Sequence, residues 1–391
     1  MTQIAELLLV LAAALGIYTY LGYPAILKLL SLRGRGKAPR LESGENALPP
    51  ISIVLPVYNE AAVVAATIER LLAIDYPDDR RQLVVVSDAS SDGTDEIVAR
   101  FADRGVVLLR LPRRQGKTAA ENAARPLLTG EVIINTDASV RIDPGAIRPL
   151  VAAFGDKTVG VASARDISVT NLADASNGGE GAYVGYEMGI RALETAVDGI
   201  VGASGCLYAI RADLHRLPVP DALSRDFAAA LTSREHGFRA LSVPEAICYV
   251  PRGRSLHHEY RRKVRTITRG LATLTYKRRL LNPFRYGLFA WMLASHQVCR
   301  WLVPWAAVVG LAALVPLALT FQWARLALAA AALVLGLAGL GWVRPGARIF
   351  TLPAYAVAGN VAVLQAWLRL FAGHSAPVWE PTRRDASPTP S

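Results

Sequence analysis

Two acidic motifs follow apolar runs that have the composition of buried strands. Asp88 comes after "LVVVS", and Asp137 stands in "NTDAS" with Ser139 two residues later. Oxygen ligands in the second motif, at Asp137, suit Mg²⁺ or Mn²⁺, which would hold diphosphate oxygens and neutralise charge on a leaving phosphate. We therefore predict a metal site on Asp137, with Ser139 or water completing it.

Two further charged residues each have two interpretations. Lys117 follows Gly116 near a predicted helix start, where it could add positive charge to the same anion or be an ordinary solvated lysine. Asp226 begins "DFAAALTSREHGFRA", an amphipathic helix with Gly237 as its expected C-cap. Asp226 could cap that helix, or it could act as a general base presented at its start.

The elements that would position these residues alternate between strands and helices. Apolar β-branched runs, each followed by a helical pattern, are "ISIVLPVY", "LVVVSD", "VVLLRL" and "VIINTDA". Continuous apolar strands are typical of a parallel sheet covered on both faces, so the pattern predicts an α/β fold. Polar residues follow all four strands and should meet at one edge of the sheet, where open α/β folds bind ligands. Helix capping by Asn59, Asp92 or Thr94 does not by itself predict that convergence.

Long apolar segments at both ends of the chain predict membrane helices. Ile4–Leu30, Trp301–Phe321 and Trp323–Trp342 are each long enough to cross a hydrocarbon layer of roughly 30 Å. Another segment, Phe350–Gly373, carries side chains that are costly at mid-bilayer, namely Pro353, Asn360, Gln365 and Arg369. That segment could span the membrane or lie in its interface. Basic residues follow the first segment and none precedes it, so the positive-inside rule predicts a cytoplasmic middle domain.

The net charge restricts the class of binding partner, and the cysteines indicate a reduced, metal-free state. The formal net charge of +11 comes from 43 basic and 32 acidic residues. Beside membrane segments, this charge is explained more simply by anionic lipid or a phosphorylated substrate than by nucleic acid, so we expect no nucleic-acid partner. Cys206, Cys248 and Cys299 lack metal-ligand spacing and would be reduced in the cytoplasm.

Six motifs together resemble a known family. In chain order they are "PVYNE", "SDASSDGT", "GKTAAEN", "TDAS", "GASGCLYAIR" and "RDFAAALTSREHGFR". This order resembles the family 2 inverting glycosyltransferases, in the membrane-bound branch that includes polysaccharide synthases. The resemblance covers about residues 50 to 270. It implies a GT-A fold, which is a Rossmann-like and mostly parallel α/β sheet, flanked here by transmembrane helices.

The resemblance also implies roles for individual residues. Substrate would be bound by residues of these motifs, namely Pro56, Tyr58, Glu60, Asp88, Lys117, Asn122 and Gly205. Asp137 would take the place of the first acid of the family's Asp-x-Asp motif and ligate Mn²⁺ or Mg²⁺. Asp226 would deprotonate the acceptor hydroxyl for attack at the anomeric carbon, a step worth roughly 10²–10⁴ in rate.

The sequence departs from the family pattern in two places. "DAS" replaces Asp-x-Asp, so Ser139 or water must stand in for a carboxylate. The Gln-x-x-Arg-Trp motif of processive members is missing from "HHEYRRKVRTITRGL", where basic residues remain. We expect Arg265 and Arg262 to meet the diphosphate or the acceptor. The alternative is a basic face that lies on anionic lipid.

These observations predict a membrane-anchored glycosyltransferase that moves a sugar from a nucleotide donor, expected to be UDP-linked, to a lipid-linked or growing glycan acceptor without processive polymerisation. The alternatives are a processive synthase that also translocates its polymer, and a non-catalytic membrane scaffold with a nucleotide-binding fold. The predicted location is a bacterial inner membrane with the catalytic domain in the cytoplasm. The predicted divisions are a transmembrane helix at 1–30, a basic linker at 31–49, the GT-A domain at 50–250, basic interface helices at 251–300, two transmembrane helices at 301–343, an interfacial or third C-terminal membrane helix at 344–373 and a disordered tail at 374–391.

Overall fold

The computed structural model describes residues 2–32, 48–169, 180–251, 256–344 and 348–373. These residues form two compact units. An α/β unit contains the described residues of Arg33–Gly253 with Ala272–Lys277, and a helical unit contains those of Met1–Leu32, Arg254–Leu271 and Arg278–Ser375. The predicted linker lies largely outside the described residues, and the predicted tail lies entirely outside them.

The α/β unit is built on one eight-stranded sheet in the order β3-β2-β1-β4-β7-β6-β8-β5. The strands are β1 Ile51–Val57, β2 Arg81–Ser87, β3 Val106–Arg110, β4 Val132–Thr136, β5 Arg141–Ile142, β6 Val159–Val169, β7 Leu207–Arg211 and β8 Arg239–Pro251. The first four strands pair in parallel, as predicted, and β6 pairs in parallel with β8. β7 is antiparallel to both of its neighbours, β4 and β6. The mostly parallel α/β fold is confirmed.

The helices occur in both units. They are α1 Thr2–Ser31, α2 Val64–Leu72, α3 Thr94–Ala99, α4 Lys117–Ala124, α5 Ile147–Ala152, α6 Glu180–Val197, α7 Ala212–His215, α8 Arg225–Glu235, α9 Leu256–Tyr276, α10 Pro283–Thr320, α11 Gln322–Val343 and α12 Arg348–Phe371. Short helices follow each of the first four strands, as the alternating pattern predicted.

The central strands are apolar throughout because both faces of the sheet are covered. Every residue of β1 is buried. Ile53, Val85 and Ile134 belong to one buried cluster, whereas their neighbours Val54 and Ile133 belong to the cluster on the opposite face. Successive side chains of a strand point to opposite faces, so two covered faces require apolar residues at consecutive positions.

Pro56 lies within β1 and does not end it, although a proline in the sequence would be expected to stop the strand. β1 continues to Val57 and pairs with β2 along its whole length, including Pro56 with Val86. Its pairing with β4 reaches only Val54 and Asn135. Pro56 therefore lies where β1 has a ladder on one side alone, which tolerates a residue without an N–H group.

The helical unit contains four helices that are long and apolar enough to cross a membrane. They are Thr2–Ser31, Pro283–Thr320, Gln322–Val343 and Ile349–Phe371. The second begins well before Trp301, the residue at which the sequence pattern placed its start. α1 and α10 each contain a π-helical turn, and Tyr18 and Ser295 from those two turns share a hydrogen bond of 2.6 Å between their hydroxyl oxygens.

Within the helical unit, the basic helix α9 packs along α12. Tyr260 Oη donates a hydrogen bond of 2.7 Å to Gln365 Oε1. Leu256 belongs to a buried cluster with Ala354 and Ala358. The ring of Trp342, at the end of α11, lies with its centroid 4.2 Å from that of His257. α12 therefore contacts α9 through apolar packing and one hydrogen bond between side chains.

Candidate active site

Asp88 fixes the loop that leads into α4. Asp88 directly follows β2, and the residue is only 2% exposed. Its two carboxylate oxygens accept hydrogen bonds from the backbone N–H groups of Gln115 and Gly116, at 2.7 and 2.8 Å. Gly116 has φ of +96°, a conformation that favours glycine. The acid thus positions the residue that follows Gly116, which is Lys117.

The loops after β1 and β2 are tied to each other. Asp92 accepts hydrogen bonds from the backbone N–H groups of Ala61 and Thr94. Burial opposes ionisation of Asp92, but these hydrogen bonds and that from the Thr94 hydroxyl lower its pKa. Glu60 is buried, and its N–H donates to Thr94 Oγ1. Asp92 therefore joins two loops as well as bonding the first N–H of α3.

Tyr58 faces an arginine from the loop after β3. The guanidinium carbon of Arg114 lies 3.8 Å from the centroid of the Tyr58 ring. This stacking places a cation and an aromatic face at the same strand edge as Asp88. The expected roles of Pro56, Tyr58 and Glu60 in substrate binding stay predictions.

Lys117 and Asp137 form an ion pair at the centre of this edge. Lys117 Nζ lies 2.5 Å from Asp137 Oδ1 and donates a hydrogen bond of 2.9 Å to the carbonyl oxygen of Gly205. The Lys117 side chain is 18% exposed, so the interpretation as an ordinary solvated lysine is wrong. Burial alone would lower the pKa of Lys117, but the carboxylates of Asp137, Glu121 and Asp226 raise it.

Asp226 lies in the first turn of α8 and does not cap it. Ser224 is the N-cap residue, and its Oγ donates a hydrogen bond of 2.5 Å to Asp226 Oδ1. A Cβ at Gly205 would lie 2.5 Å from Asp226 Oδ2, so the two residues are in close contact. At the other end of α8, Gly237 has φ of +82° after the last turn, as its predicted role in ending the helix requires.

Four of the expected site residues therefore come together: Lys117, Asp137, Gly205 and Asp226. They come from the start of α4, the end of β4, the loop before β7 and the start of α8. The link between them is Gly205, whose carbonyl accepts from Lys117 and whose Cα faces Asp226. The result is a cluster in which Asp137 pairs with the Lys117 ammonium group and Asp226 lies against Gly205, whose carbonyl holds the same ammonium group.

Two further charged residues of this edge, which the motifs alone did not indicate, are buried. Glu121 and Arg225 are 0% and 5% exposed, and Glu121 Oε2 lies 3.9 Å from Arg225 Nε. Glu121 follows Lys117 by four positions in "GKTAAEN", a spacing that puts the two side chains on one face of α4. That spacing was the available signal. Burial raises the pKa of Glu121, against the effect of Lys117 and Arg225.

Asn122 is held by other parts of the α/β unit. Its Nδ2 donates to Val219 O at 2.7 Å and to Asp221 Oδ1 at 2.8 Å, and its Oδ1 accepts from Arg225 Nη1. These contacts use both halves of the amide to anchor the loop before α8. A direct contact of Asn122 with substrate stays a prediction.

The residues around Asp137 fit a divalent cation that arrives with phosphate ligands. Among the described residues there is no group of three or more His, Cys, Asp and Glu side chains able to hold a metal. Asp137 with Ser139 is a small oxygen donor set of the kind Mg²⁺ uses when substrate phosphates and water complete its shell. Mn²⁺ accepts the same oxygen donors.

Arg262 and Arg265 belong to the helical unit. Arg262 donates from Nε and Nη2 to the carboxylate of Glu259, at 2.9 and 2.7 Å, within one turn of α9. Arg265 lies one turn further along the same helix and is partly exposed. Their contact with diphosphate or acceptor stays a prediction.

Comparison with known proteins gives a family match over the part of the chain that carries these motifs. The family model described as "Glycosyl transferase family 2" matches residues 52–203. The probable glycosyltransferase YdaM of Bacillus subtilis is 31% identical over 118 residues, which are 29% of this chain and 28% of that protein. The beta-monoglucosyldiacylglycerol synthase of Trichormus variabilis is 29% identical over 190 residues, which are 48% of this chain and 40% of that protein. The chain thus matches less than half the length of either relative.

Among solved structures, the chain is similar to the mannosyltransferase PcManGT from Pyrobaculum calidifontis, which was determined in complex with GDP-Man and Mn²⁺. The TM-score is 0.69 at 22% sequence identity, and the match covers 93% of this chain and 99% of that one. At this identity the similarity shows the fold, which is the GT-A arrangement.

Proposed function

We propose that this chain acts as a family 2 glycosyltransferase and transfers a sugar, with inversion, from a nucleotide-sugar donor to the hydroxyl of a lipid-linked acceptor, because the model of that family matches residues 52–203. The observation that carries this proposal is the joining of Lys117, Asp137 and Asp226 through Gly205. An ammonium group suits the leaving diphosphate, and a carboxylate suits a nucleophile that must lose a proton. We expect the anomeric carbon of the donor to bind between these two charges.

The residues of this edge have separate tasks in the proposed reaction. A divalent cation on Asp137 would supply positive charge to the diphosphate as the glycosidic bond breaks. Lys117 adds a fixed positive charge beside it, already held in place by the Gly205 carbonyl. Ser224 donates to Asp226 Oδ1, which leaves Oδ2 to accept the proton of the attacking hydroxyl. Attack from the side opposite the leaving group inverts the anomeric centre.

The donor is proposed to be a UDP-sugar, and a GDP-sugar is the alternative donor. Tyr58, Arg114 and Asp88 gather near the end of β1 and β2, where open α/β sheets bind nucleotides. One similar structure contains a GDP-sugar. Uracil and guanine donors must therefore both be tested.

The acceptor is proposed to be a lipid because similar proteins carry lipid names and this chain carries membrane helices. One relative is named for a diacylglycerol product, and another, from Pseudomonas syringae, is named an undecaprenyl-phosphate sugar transferase. Four described helices are long and apolar enough to cross a membrane. We place the α/β unit on the cytoplasmic side, where nucleotide sugars are made. Basic residues of α9 would then lie at anionic headgroups.

A non-processive reaction is proposed from the small number of helices. α12 packs on the basic helix α9 through Tyr260 and Gln365, which favours a position of α12 in the interface. Three or four spans in one chain can hardly enclose a polysaccharide channel. A processive synthase remains the competing function, and product length decides between them.

The experiment uses the full chain purified in lipid nanodiscs that contain polyprenyl phosphate or diacylglycerol. A panel of UDP- and GDP-sugars is supplied, nucleotide release is measured, and products are weighed by mass spectrometry. The proposal expects release that depends on one donor and one lipid, with a product heavier by one sugar. A ladder of many sugars would support the processive alternative. If no combination of donor and acceptor in the panel led to nucleotide release, the result would support a non-catalytic scaffold.

A further inference from the structure

The side chain of Glu121 is enclosed beneath the proposed active site. The residue is 0% exposed, and neither carboxylate oxygen has a hydrogen-bond partner within the part of the chain that the structure describes. A buried carboxylate without hydrogen bonds is costly unless a charge balances it. The groups that balance it therefore indicate what Glu121 does.

Two cations flank Glu121 at equal distances. Lys117 Nζ lies 3.9 Å from Oε1, and Arg225 Nε lies 3.9 Å from Oε2. Arg225 is itself fixed, because its Nη2 donates to the carbonyl of His215 at 2.6 Å and its Nη1 donates to the side chain of Asn122. Arg225 is thus an immobile counter-charge, and Lys117 is the partner that reaches the site.

Lys117 is held from three directions. Asp137 and the carbonyl oxygen of Gly205 contact its ammonium group directly, and the buried carboxylate of Glu121 attracts it from 3.9 Å. A lysine has four rotatable bonds, so its ammonium group stays in one place only when several partners agree on that place. If diphosphate or a cation engages Asp137, the Gly205 carbonyl and Glu121 are the partners of Lys117 that remain, and Glu121 is the one that carries a charge.

Stability alone gives a weak reason for this arrangement. A buried ion pair is often replaced by apolar residues of similar size without loss of stability, because desolvation offsets the attraction. The 3.9 Å separations are longer than those of a hydrogen-bonded pair. Fixing the ammonium group of Lys117 is a task that apolar residues cannot perform.

We propose that Glu121 is a positioning residue that acts through Lys117, by holding its ammonium group where the leaving diphosphate of the donor binds. This inference rests on the proposed function as far as kcat and KM are concerned. The expected change in affinity for a nucleoside diphosphate can be measured whether or not the protein transfers a sugar.

The test is a double-mutant cycle of Glu121→Gln and Lys117→Met in the full chain in nanodiscs. Glutamine keeps the shape of Glu121 and removes its charge. kcat and KM for the donor, UDP and GDP affinity by calorimetry, and thermal unfolding are measured for parent, single variants and double variant. If Glu121 acts through Lys117, its loss matters only while Lys117 is present.

We expect Glu121→Gln to lower kcat/KM and diphosphate affinity by about 10- to 100-fold, the range for partners that orient a site residue. In the Lys117→Met background the same change should cost less than about threefold, because Glu121 then has no ammonium group to position; independent effects would instead give the same loss in both backgrounds. Equal losses in both backgrounds would overturn the inference. So would a Glu121→Gln single variant within threefold of the parent.

A second variant removes the charges without leaving one unpaired, in case Glu121→Gln does not fold. Glu121→Leu with Arg225→Met replaces the pair by apolar side chains and leaves no buried charge unpaired, although the acceptors of His215 and Asn122 lose their Arg225 donor, so its unfolding temperature is measured beside its affinity. It should nevertheless lose diphosphate affinity as Glu121→Gln does, and parental affinity in this variant would refute a role through Lys117. A parent that binds UDP or GDP but transfers no sugar would contradict the proposed function and leave the binding cycle decisive. A parent that binds neither would overturn both.

Discussion

Gly205 and Asp226 approach so closely that a side chain at position 205 has no room: a Cβ there would lie 2.5 Å from Asp226 Oδ2. The carbonyl of the same glycine accepts a hydrogen bond from Lys117. One residue without a side chain thus sets the spacing between the proposed base and the proposed diphosphate contact.

Gly205→Ala should move the Asp226 carboxylate and lower kcat by about 100-fold, because a displacement near 1 Å in an active site has an effect of that order. Donor affinity should change much less. Steady-state kinetics with calorimetry of UDP or GDP binding measures both. The matched control is Gly189→Ala on α6, where nothing lies within 4 Å of the added Cβ. Equal kcat values for Gly205→Ala and the parent would show that the spacing does not matter.

Asp226→Asn should all but abolish transfer, with kcat lowered by a factor of roughly 10²–10⁴, and should leave donor binding nearly intact. The amide keeps the shape of the carboxylate but cannot accept the proton of the hydroxyl. Single-turnover kinetics at saturating donor checks the chemical step directly. Turnover within a fewfold of the parent would remove Asp226 from the mechanism.

Turnover should require a divalent cation held by Asp137. Excess chelator should stop the reaction, and Mn²⁺ or Mg²⁺ should restore it. Asp137→Asn should raise the half-saturating cation concentration by tenfold or more, on the order expected for loss of the carboxylate from this small donor set. Ser139→Ala is the comparison, because an equal shift would assign Ser139 as a second ligand. Full turnover in chelator would mean that Lys117 carries the diphosphate charge without a metal.

The stability of the α/β unit should fall in acid through His215. Burial, with Arg225 as the next cause, lowers the pKa of His215 well below its usual 6.5. The folded protein therefore keeps a neutral ring at a pH where the unfolded chain binds a proton. Unfolding takes up that proton below about pH 6.5, so the free energy of unfolding decreases there by up to ~1.4 kcal/mol per pH unit.

The check for His215 is the unfolding temperature of parent and His215→Gln between pH 5 and 7.5. Carboxylates titrate in both proteins, so the difference between them isolates the histidine. The parent should lose more stability than the variant on acidification. Parallel curves would mean that the folded state also protonates His215 near its usual pKa.

The C-terminal tail should lie on the cytoplasmic side, with α12 in the interface. Arg383 and Arg384 in the tail favour that side, and α12 carries polar residues beside α9. A single cysteine at Ser387, in a chain with Cys206, Cys248 and Cys299 replaced by alanine, should resist a membrane-impermeant reagent in intact cells. A cysteine at Gln322, the first residue of α11, should react and serves as the control. Labelling at position 387 would make Ile349–Phe371 a fourth span and reopen the processive alternative.

Local patterns in the sequence determined the elements and the edge of the sheet where polar residues meet. Continuous apolar runs predicted the first four strands, and motif order predicted the GT-A fold. Both signals depend on neighbours along the chain, because burial on two faces and strand–helix alternation repeat over a few residues. The apolar lengths likewise indicated the membrane helices.

Only the tertiary structure decided which charges meet. β7 inserts antiparallel between β4 and β6 and brings Gly205 to Lys117 and Asp226, residues that are far apart in sequence. It also showed that Asp226 follows the N-cap and that Glu121 is enclosed with Arg225. Burial and ion pairing at these positions arise from strands and loops distant in the chain, and the pattern of one segment carries no information about the partner that another segment supplies.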